Sequence, residues 1–463
     1  MRNSTLTPHR LVASAACAAG VALAVAPTPT GLPAEILPAA AVAVVCIGLW
    51  ATAVIPEYLT AVIFCFLAVT VAAAPPDVVF AGFQSTAAWL VFGGLIIAAS
   101  VQTTGLGARI ATAAVGYFGR SYRGFLWRIV LTAALMGFIM PSNMGRVLVM
   151  LPIFLNLGER LGFGPGSKGR TGVTLAVAAG SIFPSFGILT AAVPNVVLLG
   201  AAESIHGIEI TYGEFFLLHF PVISIVNIVA LPFLIAALFP ARLEPASAPA
   251  PSAPWTAAER NLVLILVVTL ALWVTDHWHR VSPAWIALGA GILCLLPRLG
   301  CIPATSLTGK VNLGPWLFIC GIIGMGSVVV HSGLGGLLAG WLLDRLPMQP
   351  GHDLSNLAAM SAVGMIISMA TTVPGEPVIA ATLARDISAA SGWPVATVLL
   401  VQAVNWSMVP FPYELPPMVV ASRMAGMGIG HATRLLLALT LLAWLVTLPL
   451  HFVWLRHLGY FAG

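Results

Sequence analysis

Residues 129–159 read IVLTAALMGFIMPSNMGRVLVMLPIFLNLGE, two apolar runs joined by the polar tip PSNMG at 141–145. Residues 354–384 repeat the pattern as LSNLAAMSAVGMIISMATTVPGEPVIAATLA, with the tip at 371–377. Two half-length helices around a polar tip are typical of a re-entrant hairpin, which is tolerated at membrane depth only inside protein or beside a cavity. The sequence therefore predicts two re-entrant hairpins in a membrane protein.

The composition of the whole chain is that of a polytopic membrane protein. Of its 463 residues, 59% are hydrophobic and 8% are charged, whereas soluble globular proteins contain about 25% charged residues. The net charge of +5 is spread without a block of Lys and Arg, which excludes a nucleic-acid partner. Apolar runs outside the hairpins predict about eleven transmembrane helices. They lie near residues 11–31, 36–54, 58–74, 86–104, 171–202, 214–239, 260–276, 282–297, 312–332, 393–424 and 433–455.

An internal repeat divides the chain into two related halves. Residues 89–107 contain WL, a glycine and TGLG, and residues 316–335 contain WL, a glycine and SGLG. The separation of about 228 positions between these motifs also aligns the two hairpin tips. A slightly smaller separation aligns VPN at 193–195 with PPM at 416–418. Each half then has a hairpin followed by a broken helix, and an odd number of intervening spans inverts one half relative to the other. Such inverted repeats occur in many secondary transporters.

One Pro-, Ala- and Ser-rich segment, EPASAPAPSAPW at 244–255, separates the halves because its composition cannot form an apolar span. We therefore expect an uncleaved N-terminal span at 1–32, a first inverted repeat at 33–240, a cytoplasmic linker at 241–259 and a second inverted repeat at 260–463. Threading the chain in this way places most of the 20 Lys and Arg residues in cytoplasmic segments. This predicts a cytoplasmic N-terminus and a C-terminus outside.

The first tip carries groups for both an anion and a cation. Ser142 and Asn143 offer hydroxyl, amide and carbonyl oxygens, and a half-helix begins near Arg146. Oxygen atoms suit a hard cation such as sodium, whereas a helix N-terminus suits an anion. The alternative is that Ser142 only caps the helix.

Arg146 and Glu376 occupy roughly equivalent places in the two hairpins. A charge at membrane depth is a functional hypothesis by default. Arg146 is predicted to bind a carboxylate or sulfonate, and Glu376 to accept a proton, bind a cation or neutralise Arg146. The open alternative is a buried ion pair between them that holds the hairpins together.

The predicted broken helices, SIFPSFGILTAAVPN at 181–195 and NWSMVPFPYELPPM at 405–418, carry further polar groups at depth. Their prolines free backbone carbonyls inside the spans. Asn195 adds an amide, and Glu414 is a second candidate for proton coupling. The alternative for Glu414 is a hydrogen-bonded structural carboxylate near the end of a span.

An intramembrane enzyme is the competing class, and the sequence disfavours it. No acid, base and nucleophile occur together at helical spacing, and metalloprotease, nucleophile-elbow and phosphate-loop motifs are absent. His277 and His279 lie in a short Trp-rich loop, which is typical of an interfacial belt. We therefore expect no catalytic residue, no cofactor and no metal besides sodium as a coupling ion.

The order of several motifs resembles the divalent anion:sodium symporter family of the ion transporter superfamily. These motifs are WLVFGG at 89–94, TGLG at 104–107, PSNMGR with LPI at 141–153, and the break at 187–195. The resemblance runs over about residues 33–455.

The tips show where the chain follows this family. Ser142 and Asn143 match the first two positions of the family's Ser-Asn-Thr motif, and Met144 replaces the Thr. Arg146 matches an Arg in the branch that resembles citrate and oxoglutarate/malate translocators. The second tip, ATTVPGEP at 370–377, departs from Ser-Asn-Thr.

The resemblance implies an eleven-span fold with inverted repeats, a homodimer formed through a scaffold domain, and an elevator motion that moves dicarboxylates, citrate or sulfate. It also implies that substrate and sodium bind together at the tips. The predicted substrate-binding residues are Ser142, Asn143, Arg146, Thr371 and Thr372. The predicted cation-coupling residues are Ser142, Asn143, Gly187, Asn195, Glu376 and Glu414.

We therefore expect a secondary active transporter of small anions, foremost di- or tricarboxylates, in a bacterial inner membrane. A coupling cation or exchange for a counter-anion would drive it. The alternatives are a permease for sulfate, sulfonate or another inorganic anion, and an exporter of metalloids or other ions of the same superfamily. The positive charge of Arg146 disfavours a route for cations alone.

Overall fold

The computed structural model describes residues 8–52, 54–113, 121–243, 254–346 and 348–461, and these residues contain helices and no β-strand. The helices before the linker are α1 (Pro8–Val25), α2 (Ile36–Thr52), α3 (Glu57–Thr70), α4 (Pro76–Val79), α5 (Ala81–Gln84), α6 (Thr86–Thr104), α7 (Leu106–Ala113), α8 (Tyr122–Ile139), α9 (Asn143–Arg160), α10 (Lys168–Ile182), α11 (Val193–His206), α12 (Tyr212–His219) and α13 (Ile225–Leu238). Those after it are α14 (Ala257–Val274), α15 (Asp276–His279), α16 (Pro283–Leu295), α17 (Ser306–Gly309), α18 (Gly314–His331), α19 (Leu334–Leu343), α20 (Asp353–Ala370), α21 (Glu376–Thr382), α22 (Ala384–Ser391), α23 (Val395–Val401), α24 (Pro416–Met424), α25 (Ile429–Leu442) and α26 (Leu448–His457).

Several of these helices have the length and composition of membrane spans. Within the described ranges, 7 helices qualify, or 8 if the pair Ala384–Ser391 and Val395–Ser407, bent by 108°, is one span. Four shorter apolar helices have 10–17 residues: Arg10–Val25, Ile36–Thr52, Glu57–Thr70 and Pro283–Leu295. The predicted all-α polytopic membrane fold is confirmed, and the count of about eleven spans stays a prediction.

The first hairpin sequence forms α8 and α9, which meet at a short non-helical tip. Met140, which precedes a proline, has an extended backbone (φ −129°, ψ 95°). Ser142 caps α9 by accepting a hydrogen bond from the Gly145 N–H at 3.1 Å. Each arm has 18 residues, or about 27 Å of helix. The expectation of half-length arms is therefore wrong here, because the helices continue beyond the apolar runs to Tyr122 and Arg160.

The second hairpin sequence is less regular than the first. Its first arm, α20, also has 18 residues, and its tip includes a 3-10 turn at Val373–Gly375. The returning arm is divided into α21, of 7 residues, and α22, of 8 residues. Pro374 and Pro377 lie at the tip and at the start of α21, where missing backbone N–H groups favour helix starts.

Each half also contains the predicted broken helix, and the two breaks meet. α10 passes into a 3-10 turn at Phe183–Gly187 before α11 begins, and α23 passes into a 3-10 turn at Gln402–Ser407 before α24 begins. The rings of Phe186 and Trp406 pack edge to face, with centroids 6.0 Å apart. Residues from both tips and both breaks are thereby brought to one region.

A close glycine contact joins α6 to α16. A Cβ atom at Gly93 would lie 2.4 Å from the backbone carbonyl of Ala287 and 2.6 Å from the Leu288 nitrogen. Small residues allow such close helix approach in membranes. We expect Gly93→Ala to lower the free energy of unfolding by about 1–3 kcal/mol. In detergent this should appear as a lower apparent melting temperature, measured by size-exclusion chromatography after heating.

Gly289→Ala is the matched control for this prediction. A Cβ atom at Gly289, also on α16, meets nothing within 4 Å. Since Ala favours helix over Gly by about 1 kcal/mol, this variant should be as stable as the parent or more so. Equal stability of the Gly93→Ala and Gly289→Ala proteins would contradict the close contact.

Candidate functional site

A cavity of about 360 Å³ lies where the tips and breaks meet. Its size is in the range of small-molecule sites. The first half contributes its tip and the start of α11, and the second half contributes its tip and the segment that leads into the first turn of α24. The lining residues from these four segments are Pro141, Ser142, Asn143, Met144, Ala192, Val193, Pro194, Val196, Val373, Pro374, Glu414, Leu415, Pro416 and Pro417.

The first tip presents hydrogen-bond donors to this cavity. The Ser142 hydroxyl oxygen accepts from the Gly145 N–H at 3.1 Å, and the Asn143 side-chain oxygen accepts from Arg146. The Ser142 O–H and the Asn143 amide N–H groups are then available to a ligand. Ser142 is therefore both a helix cap and part of the cavity wall.

Arg146 is fully buried and binds oxygen atoms of its own half. Its acceptors are the carbonyls of Met140 (2.5 Å), Ser181 (2.7 Å) and Ala191 (3.1 Å), the Ser185 hydroxyl (2.5 Å) and the Asn143 side-chain oxygen. Within the described part of the chain, the ion pairs are Arg109–Glu259 and Arg170–Glu159. The guanidinium thus has no carboxylate partner there. It lies behind the wall, next to the cavity-lining Asn143.

Asn195 and Gly187 shape the first break. The Asn195 amide nitrogen donates to the carbonyls of Ser185 at 2.9 Å and Ile188 at 2.7 Å, and its side-chain oxygen has no hydrogen-bond partner among the described residues. A Cβ atom at Gly187 would lie 2.3 Å from the Ser224 hydroxyl oxygen. Asn195 therefore retains an oxygen for a cation, whereas Gly187 is required for close packing.

The second tip turns its hydroxyl-bearing residues away from the main cavity. Thr371 donates its hydroxyl to the Ile367 carbonyl at 2.8 Å. Thr371 and Thr372 line a separate crevice beside Trp50. The main cavity instead meets Val373 and Pro374.

Glu376 holds the break of the second half. Its carboxylate is fully buried and accepts from the Asn405 amide at 3.1 Å and from the Trp406 indole N–H at 2.7 Å. Arg146 binds the break of the first half in the equivalent way. The alternative of an ion pair between Arg146 and Glu376 is wrong for this structure, because each side chain is bonded within its own half.

Glu414 is the buried carboxylate in the cavity wall. It accepts from the Ser368 hydroxyl at 2.8 Å and from the Phe411 backbone N–H at 3.1 Å. Half-buried Glu57 also lines the cavity. The described lining residues include no Lys, Arg or His.

Sequence reasoning missed several residues at this site. Glu57, Tyr58 and Asn312 line the cavity from the start of α3 and the segment before α18. Trp406 and Ser185 were also missed as partners of the buried charges. Only the polar character of the broken helices indicated Trp406 and Ser185. No local pattern indicated Glu57, Tyr58 or Asn312.

The structure defines a multi-span helical membrane protein with a cavity between two broken helices. A family model described as the sodium:sulfate symporter transmembrane region matches residues 9–461, and the chain belongs to this family. The family resemblance seen in the sequence is confirmed. Because the family and its named relatives are transporters, the prediction that the chain is not an enzyme is confirmed as well.

Curated relatives agree with this family. The citrate/succinate antiporter of Escherichia coli K12 is 30% identical, over 63% of this chain and 52% of the relative. Dicarboxylate transporter 2 of spinach chloroplasts is 28% identical, over 59% and 50%, and a Cupriavidus necator membrane protein is 26% identical, over 64% and 63%. The chain thus spans between 50% and 63% of the length of these relatives.

Two solved transporters share the fold. The YdaH transporter of Alcanivorax borkumensis has a TM-score of 0.52 at 15% identity, over 84% of this chain and 89% of its own. MtrF of Neisseria gonorrhoeae, described with a class of antimetabolite efflux pumps, has a TM-score of 0.53 at 15% identity, over 97% and 94%. At this identity the likeness concerns the fold alone.

Proposed function

We propose that the protein is a secondary active transporter of small carboxylates, foremost di- or tricarboxylates, that works by an elevator motion. The observation that carries this proposal is a cavity with a donor-bearing tip backed by a buried arginine that has no carboxylate partner in the described chain. A buried cation without a counter-ion is costly, and a bound anion offsets that cost. The named relatives move citrate, succinate and dicarboxylates.

The first tip is the proposed carboxylate site. Ser142 and Asn143 donate hydrogen bonds to the anion, and Arg146 supplies positive potential through Asn143. Thr371 and Thr372, which face the neighbouring crevice, are proposed to reach the anion in another state of the transport cycle.

Exchange of one anion for another is the proposed coupling. The oxygen atoms around the Arg146 guanidinium are of the kind that bind sodium, and the guanidinium already fills their centre. An empty carrier then retains an uncompensated buried charge, which opposes its return without an anion.

Cation coupling is the second candidate, because Asn195 has an unpartnered buried oxygen. In that case Ser142 and Asn143 would complete a sodium site together with the Asn195 oxygen. The site would lie at the first break, where Gly187 permits close packing. Glu414 would bind a proton or cation in the cavity wall, and Glu376 would do so at the second break.

The setting of the protein is also a proposal. We place it in a bacterial inner membrane as a homodimer, with the N-terminus cytoplasmic, the C-terminus outside and the early apolar spans of each half as scaffold. The inverted repeats are proposed at 33–240 and 260–463. Residues 1–7 of the proposed N-terminal span and residues 244–253 of the proposed linker lie outside the described residues.

Uptake of radiolabelled succinate, citrate and sulfate into proteoliposomes tests the proposed function. We expect carboxylate uptake that requires an internal carboxylate and is unchanged by an inward sodium gradient, measured at neutral and mildly acidic pH. Sulfate serves as the inorganic alternative, which the family description favours. Uptake that requires sodium would support the cation-coupled candidate. Absence of both succinate and citrate uptake would contradict carboxylate transport, and uptake of sulfate alone would support the inorganic alternative.

A further inference from the structure

The second half removes hydrogen-bond donors from the cavity. Its tip faces the cavity with Val373 and Pro374, and its broken helix does so with Leu415, Pro416 and Pro417. Proline has no backbone N–H. The start of α24 therefore lacks N–H groups that a helix N-terminus normally offers to an anion.

Glu414 adds an acceptor to the same end of the cavity. One carboxylate oxygen accepts from Ser368 and the other from Phe411. A carboxylate has about four acceptor positions, so positions remain on both oxygens. In the described lining, no basic side chain balances this charge.

The first tip has the opposite chemistry. The Ser142 hydroxyl oxygen accepts from Gly145 and the Asn143 side-chain oxygen from Arg146. The Ser142 O–H and the Asn143 amide N–H groups are the donors that this tip adds to the cavity wall. The cavity wall thus presents donors at the first tip and, on a separate segment, an acceptor at Glu414.

We propose that this cavity selects a carboxylate whose far end is a hydrogen-bond donor. The inference rests on the proposed function and narrows its substrate class. The carboxylate binds Ser142 and Asn143, while an ammonium, an amide or a protonated carboxyl group donates to Glu414.

A doubly ionised dicarboxylate fits this cavity poorly. Its second carboxylate would lie beside Glu414, where like charges repel strongly in surroundings of low dielectric constant. A dicarboxylate is therefore accepted in its singly protonated form.

Binding of four matched probes to the purified whole chain tests this proposal: succinate, succinamate, monomethyl succinate and 4-aminobutyrate. In sodium-free buffer at neutral pH, we expect succinamate or 4-aminobutyrate to bind at least about tenfold more tightly than succinate and monomethyl succinate. Tight binding of succinamate identifies a neutral donor, and tight binding of 4-aminobutyrate alone identifies a cationic one. For a neutral donor, acidification that protonates one succinate carboxyl should strengthen succinate binding.

Two variants separate Glu414 from the general charge of the protein. Glu414→Gln retains the side-chain volume and introduces a donor, so succinate should then bind about as tightly as succinamate. Glu35→Gln removes an exposed carboxylate that does not line the cavity, and should leave the probe ratios unchanged. The ratios of the unaltered protein remain decisive if Glu414→Gln fails to fold.

Two results would overturn the proposal while leaving carboxylate transport intact. One is equal binding of all four probes at neutral pH. The other is restoration of succinate binding by sodium, which would make a cation the partner of Glu414. Failure of all four probes and of citrate to bind would instead contradict the proposed function itself.

Discussion

Arg146→Ala is expected to abolish anion exchange in proteoliposomes, with a loss of at least about a hundredfold, or about 2.7 kcal/mol. The change removes the buried charge that attracts the anion and the donor that orients Asn143. It also removes one donor from the buried carbonyls of Met140, Ser181 and Ala191. The Met140 carbonyl keeps the Ser142 N–H and the Ser181 carbonyl keeps the Ser185 hydroxyl, so we expect a loss of stability of about 1–3 kcal/mol in total. Flux per reconstituted protein and thermal stability are the measurements.

Three comparisons sharpen this prediction. Arg123→Ala on the same hairpin removes an exposed charge that lies over the Phe233 ring, and should leave exchange near the parental rate. Arg146→Lys should restore little, because an ammonium has three donors and no planar fork. Added guanidinium should partly rescue Arg146→Ala by entering the vacated oxygen cage. Parental exchange by Arg146→Ala would show that this charge has no part in transport.

Glu376→Ala is expected to cause a large loss of stability, because it removes the acceptor at the second break. The buried Asn405 amide and Trp406 indole N–H would each lose an acceptor, at about 1–3 kcal/mol per group. Because these residues form the second break, transport should fall together with thermal stability. Heating in detergent and exchange in proteoliposomes measure the two effects.

A glycine pair tests the same contact without removing the charge. A Cβ atom at Gly364 would lie 2.3 Å from the Asn405 amide nitrogen and 2.7 Å from a Glu376 carboxylate oxygen, whereas one at Gly340 meets nothing within 4 Å. Gly364→Ala should therefore lower stability and transport, and Gly340→Ala should not. Parental behaviour of both Glu376→Ala and Gly364→Ala would contradict a role of Glu376 in holding the break.

The tips and breaks were predictable because their signals are local. Pro141 excludes helix at Met140, and Ser142 provides the cap at which α9 begins. The prolines at 194 and 416 likewise lie in the first turns of α11 and α24. Such short-range steric and hydrogen-bonding effects act whatever the rest of the chain does.

The partners of the buried charges were not predictable in this way. Arg146 and Glu376 were recognisable as charges at membrane depth. The sequence was compatible both with a direct contact between them and with separate contacts to the two breaks. The choice depends on residues 35 to 45 positions from Arg146 and 29 to 30 positions from Glu376. Similarly, the second tip was assigned to the anion through Thr371 and Thr372, yet the fold turns Val373 and Pro374 to the main cavity.

The sequence by itself determined a polytopic helical membrane protein of one transporter family, with two polar tips and two broken helices. These properties follow from hydrophobicity, proline positions and capping, which operate within a few turns of chain. Only the tertiary structure decided which polar atoms face the cavity and which are occupied by neighbours. That outcome depends on packing between distant segments, because a buried donor or acceptor takes whichever partner the fold brings within hydrogen-bond distance.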